Sequence, residues 1–217
     1  MDHKVLDQQS QYWEKNFLSK PEMFGLKPSK AAINTLKIFK EEKIKKIVEL
    51  GAGLGRDTIF FAKNLISVDA LDYSPAAIKV INKKILENKL SNLVSAKIFD
   101  VRKKLPFENN SVEVCFSHML YCMALTTAEL KFLNNEICRI LKPGGMNVYT
   151  VRHTGDGDYK NGTHIGEDLY ENGGFIVHFF SEEKVRQIAD GFNVCNIENF
   201  EEGKFPRKLF RVILKKK

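Results

Sequence analysis

The segment Ile47–Val48–Glu49–Leu50–Gly51–Ala52–Gly53–Leu54–Gly55–Arg56–Asp57 constrains this chain more than any other stretch. An apolar run closes on an acid, three glycines follow at alternate positions, and a helical apolar pattern then resumes. That order predicts a strand feeding a helix through a tight turn. Glycine suits such a turn for two reasons: the backbone needs conformations closed to other residues, and a side chain would hold a flat ligand off the main chain. The turn is therefore a candidate ligand site.

A second acid strengthens that reading. Asp72 closes the next apolar segment, Val68–Asp69–Ala70–Leu71, and Tyr73, Ser74 and Pro75 follow it. An acid about twenty residues beyond a glycine-rich turn, at the end of the second strand, is placed to accept hydrogen bonds from both hydroxyls of a ribose. Asp100 stands in the same kind of place after Ala96–Lys97–Ile98–Phe99. Three successive strands thus end in carboxylates on one predicted edge of a parallel sheet.

The series Glu49-x-Gly51-x-Gly53-x-Gly55, Asp72 and Asp100–Val101, with Leu141–Lys142–Pro143–Gly144–Gly145 before another strand, resembles the successive motifs of class I S-adenosylmethionine-dependent methyltransferases. The likeness covers about residues 46–151 and is nearest to small-molecule members of the tellurite-resistance type. It implies a Rossmann-like, doubly wound α/β fold: a seven-stranded sheet, mostly parallel, with an antiparallel last strand pair and helices on both faces. It also implies that the cofactor is S-adenosyl-L-methionine. The turn residues Gly51, Ala52, Gly53 and Gly55, with Glu49 before them, would lie against its methionine part. Asp72 would hold the ribose, Tyr73 would pack on the adenine, Asp100 would accept from the adenine amino group, and Val101 beside it belongs to the cofactor contacts. Ser117 joins the cofactor set at the exit of the fourth strand.

With 217 residues, 43% hydrophobic and 28% charged, the chain suits one substantial core. One methyltransferase domain over 1–217 is expected: an N-terminal helical cap (1–45), a cofactor-binding core (46–151), a lid or substrate insertion (152–180), and a C-terminal helix and strand pair (181–217). No apolar run approaches the roughly 20 residues a bilayer requires, and the polar start Met1–Asp2–His3–Lys4 is not a signal peptide. A cytoplasmic protein, monomer or homodimer, is expected. Cys115, Cys122, Cys138 and Cys195 are scattered and read as reduced thiols rather than metal ligands. The net charge of +7 is spread in lysine pairs such as Lys83–Lys84, the pattern of solvated faces rather than of a phosphate track.

Along the chain, Tyr12, Trp13 and Phe17 predict a helix with an aromatic face over residues 8–19, and Ala32, Ile33, Leu36 and Phe39 predict a second. Ser74 with Pro75 reads as an N-cap and first helical position, and Thr126 with Glu129 as a capping box. The helix after Thr126 is expected to run to Pro143–Gly144–Gly145. From Arg152 to Phe180 the periodicity breaks, with six glycines among polar residues, so this stretch reads as a lid or mobile insertion.

Methyl transfer from a sulfonium is a displacement that needs alignment and exclusion of water. A hydroxyl or amine acceptor also benefits from a base near neutrality, a task suited to histidine. Three catalytic candidates follow: His118 at the exit of strand four, His153 at the exit of strand five, and Tyr121 as a hydrogen-bonding partner. Arg152 is a candidate anchor for an anionic substrate. No metal is expected, because His164, Asp156, Asp158 and Asp168 match no ligand spacing. A nicotinamide dehydrogenase would need glycine where Arg56 stands. A base-amine methyltransferase is expected, by resemblance, to carry an Asn or Asp before two prolines where Ser117–His118–Met119–Leu120 stands. The favoured reading is a methyltransferase for a small-molecule acceptor. An RNA or protein methyltransferase, or a non-catalytic cofactor-binding regulator, is the alternative.

Overall fold

The computed structural model describes residues 3–203 and 207–217, with side chains described from residue 7 onward; the polar start Met1–Asp2 lies outside the described residues. Two helices lead, α1 (His3–Ser19) and α2 (Lys30–Glu41). Then come β1 (Lys46–Leu50), α3 (Arg56–Lys63), β2 (Ser67–Asp72), α4 (Pro75–Glu87) and β3 (Val94–Ile98), followed by β4 (Val112–His118), α5 (Thr127–Ile140) and β5 (Leu141–Arg152). Three short strands follow, β6 (Thr163–Gly166), β7 (Leu169–Asn172) and β8 (Phe175–His178). The chain ends with α6 (Glu182–Ile188), β9 (Phe192–Glu202) and β10 (Arg207–Lys216).

Seven strands form one sheet in the order β3-β2-β1-β4-β5-β10-β9. The β1–β2, β2–β3, β1–β4 and β4–β5 pairs are parallel, and β10 runs antiparallel between β5 and β9. Side-chain alternation along each strand feeds two core layers. Ile47, Val68, Phe116 and Val148 pack under α2, α3 and α4 through Phe39, Phe61 and Ile81. Val48, Leu71, Cys115 and Tyr149 face α5 and α6 through Leu133, Ile137 and Val185. The strand order reverses between β1 and β4, and ligands of open α/β sheets bind beyond the strand ends at such a point.

Local signals hold where partners are near in sequence. Ser74 accepts from the Ala77 N–H with Pro75 at the start of α4, and Thr126 and Glu129 form the reciprocal box that opens α5. Two expectations need correction. Helix α5 stops at Ile140 rather than at Pro143–Gly144–Gly145, because Leu141 already pairs with Val112. The Pro-Gly-Gly turn forms a bulge inside β5, where the β4–β5 register shifts and a Cβ on Gly145 would lie 2.9 Å from the Glu113 carbonyl oxygen. The stretch 152–180 is also more regular than its composition predicts: β6, β7 and β8 form an antiparallel sheet. A two-residue turn, Gly173–Gly174 with φ of 59° and 88°, joins β7 to β8, the conformation that a tight hairpin requires.

A cluster centred on the buried His178 and Lys184 fixes that sheet. His178 Nδ1–H donates to the Leu125 carbonyl at 2.7 Å, which leaves Nε2 to accept from Lys184 of α6. Lys184 also lies 3.5 Å from Asp168 and 3.9 Å from Glu167, and Glu167 accepts from the Thr127 N–H at the start of α5. Burial, then the Lys184 charge, pushes the imidazole down to about 4. Between that value and its ordinary 6.5 the unfolded chain binds the proton that the folded chain refuses. This contribution is therefore complete above pH 6.5 and is lost as pH falls towards 4. Urea unfolding is expected to show a loss of about 2 kcal/mol between pH 7 and pH 5. His178→Asn should remove that part of the pH dependence.

Candidate active site

The glycine turn leaves β1 at the reversal point. Gly51 and Ala52 donate backbone N–H groups to the Leu71 carbonyl at 2.8 and 3.1 Å, which ties the turn to β2. Gly53 (φ 52°) is the open position: the nearest atom to a Cβ built there is Phe17 Cζ, 3.9 Å away. Gly55 (φ 76°) is the closed one, where a Cβ would lie 2.7 Å from Ile81 Cγ1. Gly55 therefore lets α4 approach, whereas Gly53 presents bare backbone to the space beside it.

That space is a cavity of about 1060 Å³. Glu49, Gly51, Ala52, Gly53, Asp72, Tyr73 and His118 line it, so seven of the residues singled out from the sequence meet at one place. Asp72 accepts from the Gly53 N–H at 2.8 Å through Oδ2 and from the Ser74 N–H at 2.9 Å through Oδ1. Burial raises its carboxyl, while those two bonds favour the charged form. Glu49 accepts from the Thr58 hydroxyl at 2.5 Å, and burial, with Asp57 close by, raises it well above the ordinary range. Asp57 is held by the Ser29 N–H and hydroxyl, both at 2.7 Å. The roof is aromatic. Trp13 and Phe17 of α1, Phe24 of the following loop and Phe175 of β8 all line the cavity, and Trp13 lies 5.1 to 6.1 Å from the other three ring centroids. Tyr12 is excluded from the lining; its hydroxyl donates to the Gly173 carbonyl and latches α1 to the β7–β8 turn.

Of the remaining sequence candidates, all but Arg152 are absent from the cavity lining. The Asp100 carboxylate turns to Arg102, taking its Nη2 at 2.8 Å and its backbone N–H at 3.0 Å. Burial opposes the charge on Asp100, but those bonds outweigh it and hold the group below the ordinary carboxylate range. Val101 and Ser117 are buried, with the Ser117 hydroxyl lacking a partner among the described residues. Tyr121 turns into the core: it stacks on Tyr149 at 3.9 Å, and its hydroxyl bonds Asn134 and Asn147. His153 stacks on Phe210 at 4.5 Å while its Nδ1 accepts from the Gly155 N–H, so neither reaches the cavity. Arg152 does line it, yet its guanidinium is committed to Asp156 and to Asp158 at 2.6 Å.

His118 is the one catalytic candidate that faces the cavity. Its Nδ1 lies 2.9 Å from the Thr150 hydroxyl and its Nε2 lies 3.6 Å from Glu202. Burial lowers its pKa, so the ring is neutral at pH 7. Arg56, Asp57, Glu202 and Arg207 also line the cavity and were missed from the sequence. For Arg56 and Asp57 a signal existed, since they directly follow the glycine turn. For Glu202 and Arg207, at the end of β9 and the start of β10, none did. Among the described residues, no group of three or more His, Cys, Asp or Glu is arranged to hold a metal ion.

A doubly wound sheet with its cavity at the β1/β4 reversal, floored by a bare glycine and flanked by an acid ending β2, defines the class I methyltransferase fold. Residues 47–145 match the family model described as a methyltransferase domain. Phosphoethanolamine N-methyltransferase 1 of Triticum aestivum is 31% identical over 174 residues, covering 78% of this chain and 32% of that protein. The chain thus spans about a third of the length of the curated relative it matches. Among solved structures, the 1,6-didemethyltoxoflavin-N1-methyltransferase of Burkholderia thailandensis superposes with a TM-score of 0.76 at 15% identity, covering 100% of this chain and 90% of that one. TehB from Haemophilus influenzae gives 0.67 at 16%, covering 94% and 67%. These two likenesses concern the fold.

Proposed function

We propose that the chain transfers a methyl group from S-adenosyl-L-methionine to a nucleophilic atom of a small molecule. The observation that carries the reading is the pairing of open backbone at Gly53 with the Asp72 carboxylate it bonds, both facing one cavity. A flat nucleoside needs that bare backbone, and its ribose needs the acid. Asp72 keeps lone pairs for two hydroxyls, Tyr73 offers a ring to the adenine, and Glu49 and Asp57 place carboxyl groups beside the turn. When bound, the cofactor supplies an electrophilic methyl group on a sulfonium. The chain's own work is to bind it, to align the acceptor and to keep water out. Trp13, Phe17, Phe24 and Phe175 serve the last task, so residues 1–45 and 152–180 act as the closing parts of one functional unit.

A cavity of about 1060 Å³ suits a cofactor and a small acceptor together, and the wheat relative carries an acceptor of that size in its name. A reducing, cytoplasmic setting agrees with four unpaired cysteines. No helix among the described residues is long and apolar enough to cross a membrane. Calorimetry with S-adenosylhomocysteine is expected to show one site per chain. Incubation with the cofactor and a panel of small amines, thiols and phenols should add one methyl mass to an acceptor. Absence of S-adenosylhomocysteine binding at millimolar concentration would overturn the reading.

A further inference from the structure

Glu202 is a cavity carboxylate to which the proposed cofactor contacts give no role. It ends β9, which β5 and β10 separate from β4 in the sheet, so the β9–β10 ribbon must curl over the strand ends to bring it 3.6 Å from His118 Nε2. Oε1 has weak partners, the Lys30 N–H at 3.4 Å and Arg56 at 3.5 Å. Oε2 is buried and has no hydrogen-bond partner among the described residues. A carboxylate oxygen left in that state costs free energy unless a donor arrives.

His118 is matched to it. The Thr150 hydroxyl accepts from the Met119 N–H and meets Nδ1 at 2.9 Å, and a hydroxyl can donate to Nδ1 or accept from it. The ring therefore reaches either neutral tautomer, and Nε2 is available as an acceptor. Two acceptors 3.6 Å apart on one cavity wall suit two N–H groups of one nitrogen.

We propose that Glu202 Oε2 and His118 Nε2 form the acceptor subsite and hold the primary amine of a small molecule, which rests on the methyltransferase reading above. An amine that donates one N–H to each keeps its carbon substituent and has its lone pair free for the methyl group. When such a nitrogen is methylated, the C–N bond forms as the S–C bond breaks and the positive charge moves from sulfur to nitrogen. Glu202 stands beside the atom that receives it. Arg207, the register partner of Glu202 across the ribbon, lines the same cavity and favours an amine whose other end is anionic.

The test uses the full chain saturated with S-adenosylhomocysteine and phosphoethanolamine as probe. Calorimetry is expected to show phosphoethanolamine binding to the parent and a 10- to 100-fold weaker affinity in Glu202→Gln, roughly the loss of one charged hydrogen bond. S-adenosylhomocysteine affinity should be equal in parent and variant, which also reports that the variant folds. In ¹⁵N spectra the probe should shift the His118 Nε2 signal of the parent and not that of Glu202→Gln. Equal phosphoethanolamine affinity in parent and variant overturns the proposal, as does failure of phosphoethanolamine to bind a parent that binds S-adenosylhomocysteine. A parent that binds neither overturns the methyltransferase reading itself.

Discussion

Gly55→Ala is expected to lower stability by about 3 kcal/mol, whereas Gly53→Ala, two residues earlier in the same turn, should cost only about 1 kcal/mol yet abolish cofactor binding. Both positions have left-handed backbones, with φ of 76° and 52°, so each pays the conformational penalty of a side chain there. They differ in what the new methyl group meets. At position 55 it would sit 2.7 Å from Cγ1 of Ile81, a fully buried side chain on α4. Strand, turn and helix are all packed around Ile81, so something must move. At position 53 nothing stands closer than 3.9 Å, and the methyl group points into space assigned to the cofactor. Thermal melts should separate them, with a fall of roughly 10 °C for Gly55→Ala and a few degrees for Gly53→Ala. Calorimetry with S-adenosylhomocysteine should give the reverse ranking for the loss of affinity relative to stability. Unimpaired binding by Gly53→Ala would place the nucleoside elsewhere.

Asp72→Asn is expected to weaken S-adenosylhomocysteine binding by about 100-fold, through the loss of two charge-assisted bonds to the ribose. Asparagine is the informative replacement. Asp72→Ala would also strip the partners from the Gly53 and Ser74 N–H groups, and each orphaned donor costs about 1–3 kcal/mol. The acid that would read the ribose also holds the glycine turn against the start of α4, so an alanine variant mixes folding with binding. The amide keeps an acceptor oxygen for one of those two N–H groups, so it orphans one donor rather than two, and it loses the charge. Melting within a few degrees of the parent, with affinity reduced, is the expected outcome. Affinity equal to the parent's would remove Asp72 from the site.

The legible parts of this protein share a physical character. The β1–turn–α3 unit, the acid ending β2, the Ser74 cap and the Thr126–Glu129 box all depend on groups within a few residues of one another. His118 and Tyr121 show where that character ends. Both leave the same strand, three residues apart, and both read as strand-exit polar residues. Between them Met119 takes a left-handed φ of 62° with its N–H on Thr150, and Tyr121 is carried into the core against Tyr149. The β7–β8 hairpin is a different case: Asn172–Gly173–Gly174 was a turn signal, obscured by four-residue strands too short to show a period.

By itself the sequence determined the doubly wound core and the bare-backbone bend with the acid that ends the second strand, because alternating apolar residues, caps and glycines act through neighbours in the chain. Only the tertiary structure decided which polar groups share the cavity. Glu202 lies 84 positions from His118, and it meets that ring only because the β9–β10 ribbon folds back over the sheet, a contact between distant residues that no local pattern encodes.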